Sequence, residues 1–377
     1  MKKLLVLNLL LLIGSTAFAQ NSFSGLPEMT NTQKPWTRWW WMGNAVDKEN
    51  LRENLIQLSE AGIGGVEITP IYGVKGEEEN FIDYLSPKYM EMLDYTLQTA
   101  DGLGMQVDMV LGTGWPYGGP QVSQEDAATK LIIRKYELKK NERIKEKIKP
   151  NEKEDYAKLK YVVAYGHQGT YIDLTDELNG DELNWKAKKE HFTLYAVFVG
   201  KTGQKVKRAA LGGKGFTLDH YSNKAFENYV KPFDEVLPPF ENKIRAIFND
   251  SYEVYGSNFT PEFFEKFEEY RGYDLKKHLP ELFSPVSTEL GNRVKGDYRE
   301  TLSDLLLNDF NKPWTDWAND YGFKTKLQAH GSPGNLIDLY ASADIPECET
   351  FGSMPFDIPS LRRKAENIRN GDADPVM

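Results

Sequence analysis

The stretch Ile244-Arg-Ala-Ile-Phe-Asn-Asp-Ser-Tyr-Glu253 is a short apolar run that ends in two carboxylates set among hydroxyl groups. A second stretch of this kind, Ala343-Asp-Ile-Pro-Glu-Cys-Glu349, follows much later in the chain. In a chain of alternating strands and helices, acidic residues at the carboxyl ends of strands are typical of the catalytic face of a (β/α) barrel. Two carboxylates from different strands are also the minimum equipment for glycoside hydrolysis.

From Trp36 onward, apolar runs of strand length alternate with amphipathic helical stretches, which is the pattern of a mostly parallel α/β sheet. Cap residues and prolines at helix starts support the helices. The predicted strands are 37–42, 65–69, 106–111, 244–248, 324–328 and 343–345, and the predicted helices are 47–61, 86–103, 260–271 and 295–321.

The pattern changes at 121–218, where alternating apolar segments bounded by glycine- and aspartate-rich turns predict a β-rich insertion after the third strand. About six βα units can be counted, whereas a closed barrel has eight. The predicted fold is therefore α/β: a (β/α)8 TIM-barrel-type catalytic domain, truncated after about six units. Its two parts are residues 20–120 and 219–377.

The amino terminus predicts a secretory signal peptide at residues 1–19. Lys2 and Lys3 precede an apolar region at 4–13, and Ala17-Phe-Ala19 forms an A-x-A cleavage site. The apolar region is well short of the ~20 residues of a membrane-spanning helix. We therefore expect an exported chain, periplasmic or secreted, with no membrane insertion after cleavage.

Composition excludes several classes of partner and site. The net charge of -10 argues against nucleic acid and anionic membranes as partners. The single cysteine, Cys348, excludes an internal disulfide and a thiolate metal cluster. Aromatic residues make up 12% of the chain, which suits either stacking against sugars or a large core.

Candidate binding residues follow the predicted strands. The first strand contains Trp36-Thr-Arg-Trp-Trp-Trp-Met-Gly43, in which Arg38 and Trp41 could line a pocket or pack in the barrel. The third strand leads into Gly112-Thr-Gly-Trp-Pro-Tyr-Gly-Gly-Pro120, whose glycines permit close approach of a ligand and whose Trp115 and Tyr117 would lie at the barrel mouth.

Carboxylates and one histidine complete the candidate site. A strand-end carboxyl packed beside Tyr252 and Phe248 could have its pKa raised by desolvation and serve as a general acid, whereas Asp250 could instead cap a helix. His330 lies where a substrate hydroxyl could be held. Asp344, Glu347 and Glu349 crowd around a proline, so we expect a hard cation or a bound basic group to neutralise them.

These pieces together resemble the N-terminal catalytic part of family 106 glycoside hydrolases. The motifs that carry the resemblance are Arg38-Trp-Trp-Trp-Met-Gly43, Gly65-Val-Glu-Ile68 with Thr69-Pro70, the 112–120 loop, Asp250-Ser-Tyr-Glu253, Arg271-Gly-Tyr-Asp-Leu275 with Leu279-Pro280, Gln328-Ala-His-Gly331 and Asp344-Ile-Pro-Glu-Cys-Glu349. The resemblance runs from about Trp36 to the end of the chain.

The resemblance implies an α-L-rhamnosidase of a bacterial, often Bacteroidetes, glycan-degrading system, with a (β/α)8 domain, an inverting mechanism and a calcium ion whose ligands are not identified. It matches Glu253 to the general acid and Glu349 or Glu347 to a further acidic position. The general base is expected on a strand beyond Met377, so the chain alone could be inactive. The residues predicted for substrate binding are Arg38, Trp41, Glu67, Trp115, Tyr117, Asp250, His330 and Asp344.

Two other functions are compatible with the same residues. A glycan-binding or degenerate protein would keep the aromatic pocket without catalysis. A retaining glycosidase of other specificity would use Glu347 or Glu349 as its nucleophile, within ~5.5 Å of the acid.

Overall fold

A computed structural model of the chain describes residues 29–150, 154 and 156–348. The predicted signal peptide and Glu349 lie outside these residues. None of the helices in the described ranges is long and apolar enough to cross a membrane.

The strands follow one another along the chain with short helical segments between many of them. They are β1 (Trp36–Met42), β2 (Gly65–Ile71), β3 (Gln106–Val110), β4 (Gly118–Gly119), β5 (Thr129–Leu138), β6 (Arg143–Lys147), β7 (Lys158–Gly166), β8 (Tyr171–Asp173), β9 (Leu178–Asn179), β10 (Glu182–Lys186), β11 (Phe192–Lys201), β12 (Phe216–Thr217), β13 (Ala246–Asn249), β14 (Lys324–Leu327) and β15 (Ile345–Pro346).

The α-helices lie mainly between the strands of the parallel sheet. They are α1 (Lys48–Glu60), α2 (Pro87–Gly102), α3 (Asn223–Val236), α4 (Phe263–Arg271), α5 (Leu279–Leu282), α6 (Glu289–Leu305), α7 (Lys312–Asp320) and α8 (Leu336–Ala341). Short 3-10 turns occur at Asn31–Gln33, Glu78–Asn80, Thr175–Glu177, Pro238–Phe240 and Leu275–His278, and a π-helical turn, Leu306–Asn311, joins α6 to α7.

Six strands form one parallel sheet in the order β1-β2-β3-β13-β14-β15. Each of the six corresponds to a predicted strand, which confirms the α/β class and the parallel sheet. The bounds differ slightly: β2 continues to Ile71, and β15 begins at Ile345 because Asp344 instead bonds the backbone of Thr325. Closure into an eight-stranded barrel, and its truncation, stay predictions.

Side chains alternate between the two faces of this sheet, as the pleat of a strand requires. Val66, Ile68, Val107, Met109 and Ile247 point to one face and belong to the main hydrophobic core. Helices cover that face, and leucines of α1 and α2 belong to the same core. We call the opposite face the inner face.

The inner face is strongly curved. Arg38 of β1 reaches Asp250, just after β13, with an Nη1–Oδ2 distance of 3.1 Å. These strands lie three positions apart, which is about 14 Å in a flat sheet with strands ~4.8 Å apart. Lys326 of β14 likewise bonds Glu67 of β2. The sheet therefore curls until side chains of distant strands meet.

Helix boundaries follow the predicted caps in most places. The Asp47 side chain accepts a hydrogen bond from the Asn50 amide at the start of α1, and Ser86 does the same for Tyr89 at the start of α2. The third predicted helix begins later than expected, at Phe263, because residues 260–262 form a turn and Thr260 is buried. The fourth predicted helix begins earlier, with Thr288 as its cap.

The segment between β4 and β12 forms antiparallel sheets of its own. One sheet has the order β5-β11-β7-β8 and the other β6-β10-β9. Apolar side chains between them form a second core cluster that includes Phe192, Leu194 and Ala164. The segment is tied to the helical layer, because the Tyr161 hydroxyl donates to Glu265 at 2.8 Å.

Candidate active site

Charged side chains on or next to all six strands of the parallel sheet meet on the inner face. Arg38, Glu67 and Asp108 are level with one another on β1, β2 and β3, so their side chains leave the sheet on the same side. Arg38 Nε lies 2.9 Å from Glu67 Oε1. The same guanidinium bonds Asp250, so one arginine joins two carboxylates that are far apart in sequence.

Lys326 lies at the centre of this group. Its ammonium is 2.6 Å from Glu67 Oε2, 2.9 Å from Glu347 Oε2 and 3.8 Å from Asp108 Oδ2. Asp108 has a second partner in Arg245, whose Nε donates to it at 2.8 Å. We call this set the charged cluster: Arg38, Glu67, Asp108, Arg245, Asp250, Lys326 and Glu347.

The charged cluster has four carboxylates against three cations. Burial raises the pKa of Asp250 and of Glu347, although Arg38 and Lys326 respectively oppose the shift. Burial also disfavours the charged forms of Arg38 and Lys326, but the surrounding carboxylates outweigh it and raise the pKa of both cations. The cluster therefore holds fixed positive charge beside carboxyl groups that retain protons more readily than usual.

Glu253 lies apart from the charged cluster at the carboxyl end of β13. Its carboxylate pairs with the Lys207 ammonium, and its side chain is 32% exposed. Partial burial of Lys207 opposes its charge, but hydrogen bonds to Glu253 and Tyr255 raise its pKa. Glu253 is thus an accessible, ion-paired carboxylate. The desolvation predicted for a strand-end carboxyl is found at Asp250, whose pKa is raised by burial.

A family model described as alpha-L-rhamnosidase, glycoside hydrolase family 106, matches residues 27–167 and 152–354. The chain belongs to this family. The resemblance read from the sequence motifs is therefore confirmed.

Two known proteins extend this result. A solved rhamnosidase from Novosphingobium sp. PP1Y is 17% identical and superposes with a TM-score of 0.72. The aligned part covers 84% of this chain and 48% of the rhamnosidase chain. A Formosa agariphila protein named "Putative beta-glucuronidase" is 25% identical over 405 aligned positions. That alignment covers 92% of this chain and 34% of the relative. This family member therefore spans about half of one protein and about a third of the other.

Two aromatic residues predicted for the site of this family 106 member lie in the core instead. Trp41 is 1% exposed and packs against Tyr89 of α2, because the strand pleat turns it to the face opposite Arg38. Tyr117 is buried, donates its hydroxyl to the Phe248 carbonyl at 2.7 Å and stacks on Tyr229. Their burial favours the alternative of packing in the core, and direct substrate contact by either residue stays a prediction.

The other predicted residues occupy different positions around the sheet. Asp344 precedes β15, at the amino end of the sheet, where it accepts hydrogen bonds from the amide and hydroxyl of Thr325, and its role in substrate binding stays a prediction. His330 is exposed beyond β14, and its carbonyl accepts the Tyr252 amide at 2.7 Å. Trp115 is half-buried beyond β3.

The structure brings together Arg38, Glu67, Asp250 and Glu347 from the predicted set and adds residues that the sequence reading missed. Lys326 could have been found, since a lysine inside a short apolar strand at an inward-facing position is a signal in itself. Asp108 has the same signature on β3. Arg245 and Lys207 have no such signal, because one precedes its strand and the other lies in the β-rich insertion.

The described residues of the charged cluster do not fit a calcium ion. Calcium prefers several free oxygen ligands, whereas Glu67, Asp108 and Glu347 are each paired with a lysine or arginine. Of the three crowded carboxylates for which a neutralising cation or basic group was predicted, Glu347 is neutralised by the Lys326 ammonium. Within the described ranges, a set of ligands close enough for a metal lies elsewhere, on the insertion: Glu137, His167 and His191, whose nitrogens suit transition metals better than calcium.

Proposed function

We propose that the carboxyl-terminal end of the parallel sheet is the active site of an exported glycoside hydrolase that removes terminal sugars of the α-L-rhamnose type from plant or other complex glycans. The observation that carries this proposal is the meeting of Asp250 and Glu347 at strand ends beside the fixed cations Arg38 and Lys326, with the accessible Glu253 beyond the same end of β13. Membership of family 106 supports the reaction class.

The proposed mechanism inverts the anomeric centre. Glu253 protonates the glycosidic oxygen, since it is the accessible carboxylate at the end of β13. A second carboxylate activates water on the opposite face of the sugar, about 6.5–9.5 Å from the acid. Glu347 and Glu349 stay the further acidic positions predicted by the family resemblance, and either would be the nucleophile in the retaining alternative. Arg38 and Lys326 hold the carboxyl groups of Asp250 and Glu347 in place.

The proton donor is tested by Glu253→Gln in the native full-length protein. We expect kcat to fall about 10²–10⁴-fold, the usual contribution of a general acid. The fall should be large for a sugar on a poor leaving group and small for a 2,4-dinitrophenyl glycoside, which departs without a proton. Glu53→Gln, on an exposed turn of α1, is the control. An equal loss on both substrates would remove Glu253 from the acid role.

The sugar is tested by comparing 4-nitrophenyl α-L-rhamnopyranoside with 4-nitrophenyl β-D-glucuronide. The second substrate is included because the Formosa relative carries a glucuronidase name. NMR of the first-formed sugar anomer then separates inversion from retention. Binding of both glycosides without hydrolysis would favour a glycan-binding protein and contradict the enzyme proposal.

Export is tested separately by fractionating the source cells and sequencing the amino terminus of the mature protein. We expect Gln20 as the first residue in the exported fraction, since the predicted cleavage site ends at Ala19. A cytoplasmic protein that retains Met1 would contradict the proposal.

A further inference from the structure

Two consecutive cations of the β-rich insertion lie at the mouth of the candidate site. Lys207 and Arg208 belong to the segment between β11 and β12. Lys207 exchanges two backbone hydrogen bonds with Trp115, and the Arg208 carbonyl accepts the Tyr72 amide at 2.9 Å. Trp115 follows β3 and Tyr72 follows β2, so this segment is fixed across two strand ends of the parallel sheet.

The segment is held tightly in that position. Arg208 has a φ of 56°, a left-handed conformation that is uncommon for residues other than glycine and persists where tertiary contacts impose it. On the facing loop, a Cβ added to Gly114 would lie 1.9 Å from the Lys207 carbonyl oxygen. Close approach of the two backbones therefore requires glycine at position 114. This close approach also fixes the backbone position from which the Arg208 side chain extends.

The two cations differ in their partners. The Lys207 ammonium pairs with Glu253. The Arg208 guanidinium instead lies 5.4 Å from the ring centre of Tyr72 and 5.3 Å from that of Trp115. Its Nη1 donates to the Tyr72 hydroxyl at 2.8 Å. Within the described parts of the chain, no carboxylate forms an ion pair with Arg208, which is exposed to solvent.

We propose that Arg208, held by Tyr72 and Trp115, binds an anionic substituent, a carboxylate or a sulfate ester, on the glycan that enters this site. This inference rests on the proposed function and names its substrate class as acidic glycans. A guanidinium offers a planar fork of donors that matches two oxygens of such a group. The aromatic contacts restrict the arginine before binding, which reduces the entropy lost when the anion is held.

The location agrees with this role. Lys207 joins the Arg208 segment to Glu253, so an anion at Arg208 would bind next along the chain to the charge partner of the proposed proton donor without replacing it. The exposed ring of Tyr255, 4.5 Å from the Lys207 ammonium, adds an apolar surface beside it. Sugar rings stack on such surfaces through their C–H faces, so the mouth offers an aromatic surface and one cation without a carboxylate partner.

Direct binding tests the proposal without requiring turnover. Dissociation constants are measured by NMR titration of the native full-length protein with two matched pairs of probes. Trigalacturonic acid is compared with its methyl ester, and lactose 3′-sulfate with lactose. We expect the charged member of at least one pair to bind about tenfold or more tightly, the size of a charge-assisted hydrogen bond. The pair with the larger ratio distinguishes a carboxylate from a sulfate.

The variants separate Arg208 from general charge effects. Arg208→Gln should reduce the ratio of charged to neutral binding to near one, and Arg208→Lys, which keeps the charge but loses the fork, should give an intermediate ratio. Lys205→Gln is the matched control, because Lys205 lies on the same segment but faces the Phe216 ring. Tyr72→Phe removes only the hydroxyl partner and should lower the ratio slightly.

The outcomes distinguish this inference from the proposed function. No preference for charged probes in the unmodified protein, or an unchanged preference in Arg208→Gln, would overturn the anion site. Hydrolysis of the neutral 4-nitrophenyl rhamnoside would in that case leave the glycosidase proposal standing. A preference that depends on Arg208 in a protein that hydrolyses no glycoside would support the anion site and remove the enzyme proposal. Circular dichroism of each variant checks that the fold is retained.

Discussion

The two faces of β2 have opposite chemistry although their residues alternate along one strand. Glu67 is 3% exposed and points to the inner face, where it bonds Arg38 and Lys326. Ile68, its neighbour, is 0% exposed and packs in the hydrophobic core under the helices. Both side chains are buried, so burial alone does not distinguish a residue of the site from a residue of the core.

The two faces differ in how burial of their side chains affects the free energy of folding. Transfer of apolar side chains out of water lowers the free energy. Every side chain buried on the helix-covered face therefore stabilises the fold. Buried charges lose hydration and need partners of opposite sign. The inner face therefore gains little stability from its ions, but its connected network fixes where each carboxyl and each cation lies. Such fixed charges are what catalysis requires, because they need no rearrangement during the reaction.

Glu67→Gln tests the inner face and should have the largest effect. It removes the carboxylate between Arg38 and Lys326 and leaves the buried Lys326 and the partly buried Arg38 with less compensation. Loss of one partner from a buried ion pair costs about 3–5 kcal/mol. We expect that decrease in the free energy of unfolding, measured by urea denaturation, together with loss of the proposed glycosidase activity. Glu53→Gln on exposed α1 is the control, and an unchanged stability would contradict a compensating role for Glu67.

Ile68→Ala tests the opposite face of the same strand. It removes a fully buried side chain from a packed core, which typically costs about 3 kcal/mol. Because the inner-face network is untouched, kcat measured well below the melting temperature should stay near that of the unmodified protein. A large fall in kcat with little loss of stability would show that the two faces are not separable in this way.

Asp219 offers a carboxylate outside the charged cluster with weaker compensation. Burial raises the pKa of Asp219 to about 6, against opposing contributions from the Tyr221 amide and Lys201. Because the folded state holds this proton more tightly than the unfolded chain does, the stability from this group is full below about pH 4 and is lost as the pH rises through 6.

Asp219→Asn removes that titration. The difference in unfolding free energy between the variant and the unmodified protein should shift in favour of the variant between pH 4 and 7.5, by on the order of 2 kcal/mol. Urea denaturation at both pH values measures it. A pH-independent difference would mean that Asp219 titrates normally.

Sequence patterns predicted the elements of the fold well, because each is a local signal. The alternation of apolar runs and helical stretches predicts the six strands. Asp47 and Ser86 predict the starts of α1 and α2. The site is less predictable, since its bonds join residues far apart: 212 positions separate Arg38 from Asp250, and 259 separate Glu67 from Lys326. Only the curl of the sheet decides which of these side chains meet.

Two aromatic residues also show that local sequence patterns do not reveal which side chains reach the site. Trp41 and Tyr117 are of the residue types that stack on sugars, but both are buried in the core. The pleat of β1 turns Trp41 toward the core, and the fold of the glycine-rich loop does the same for Tyr117. Lys207 and Arg208, at the mouth, come from the insertion, where no strand alternation pointed toward the site. The predicted signal peptide and Glu349 lie outside the described residues and stay predictions.

Lys207→Met tests the weakest of these electrostatic links, the ion pair at the mouth. Exposed and half-exposed ion pairs contribute about 0–1 kcal/mol, so stability should change little. Activity should respond instead, because the Glu253 carboxylate loses the ammonium that holds it in place. We expect kcat/KM to fall by a factor of about five, the size of a ~1 kcal/mol contact. Lys205→Met on the same segment is the control. An unchanged kcat/KM, or an equal fall in the control, would separate Lys207 from the proton donor, whereas the expected fall confined to Lys207→Met would support a contribution of the β-rich insertion to the proposed catalytic site.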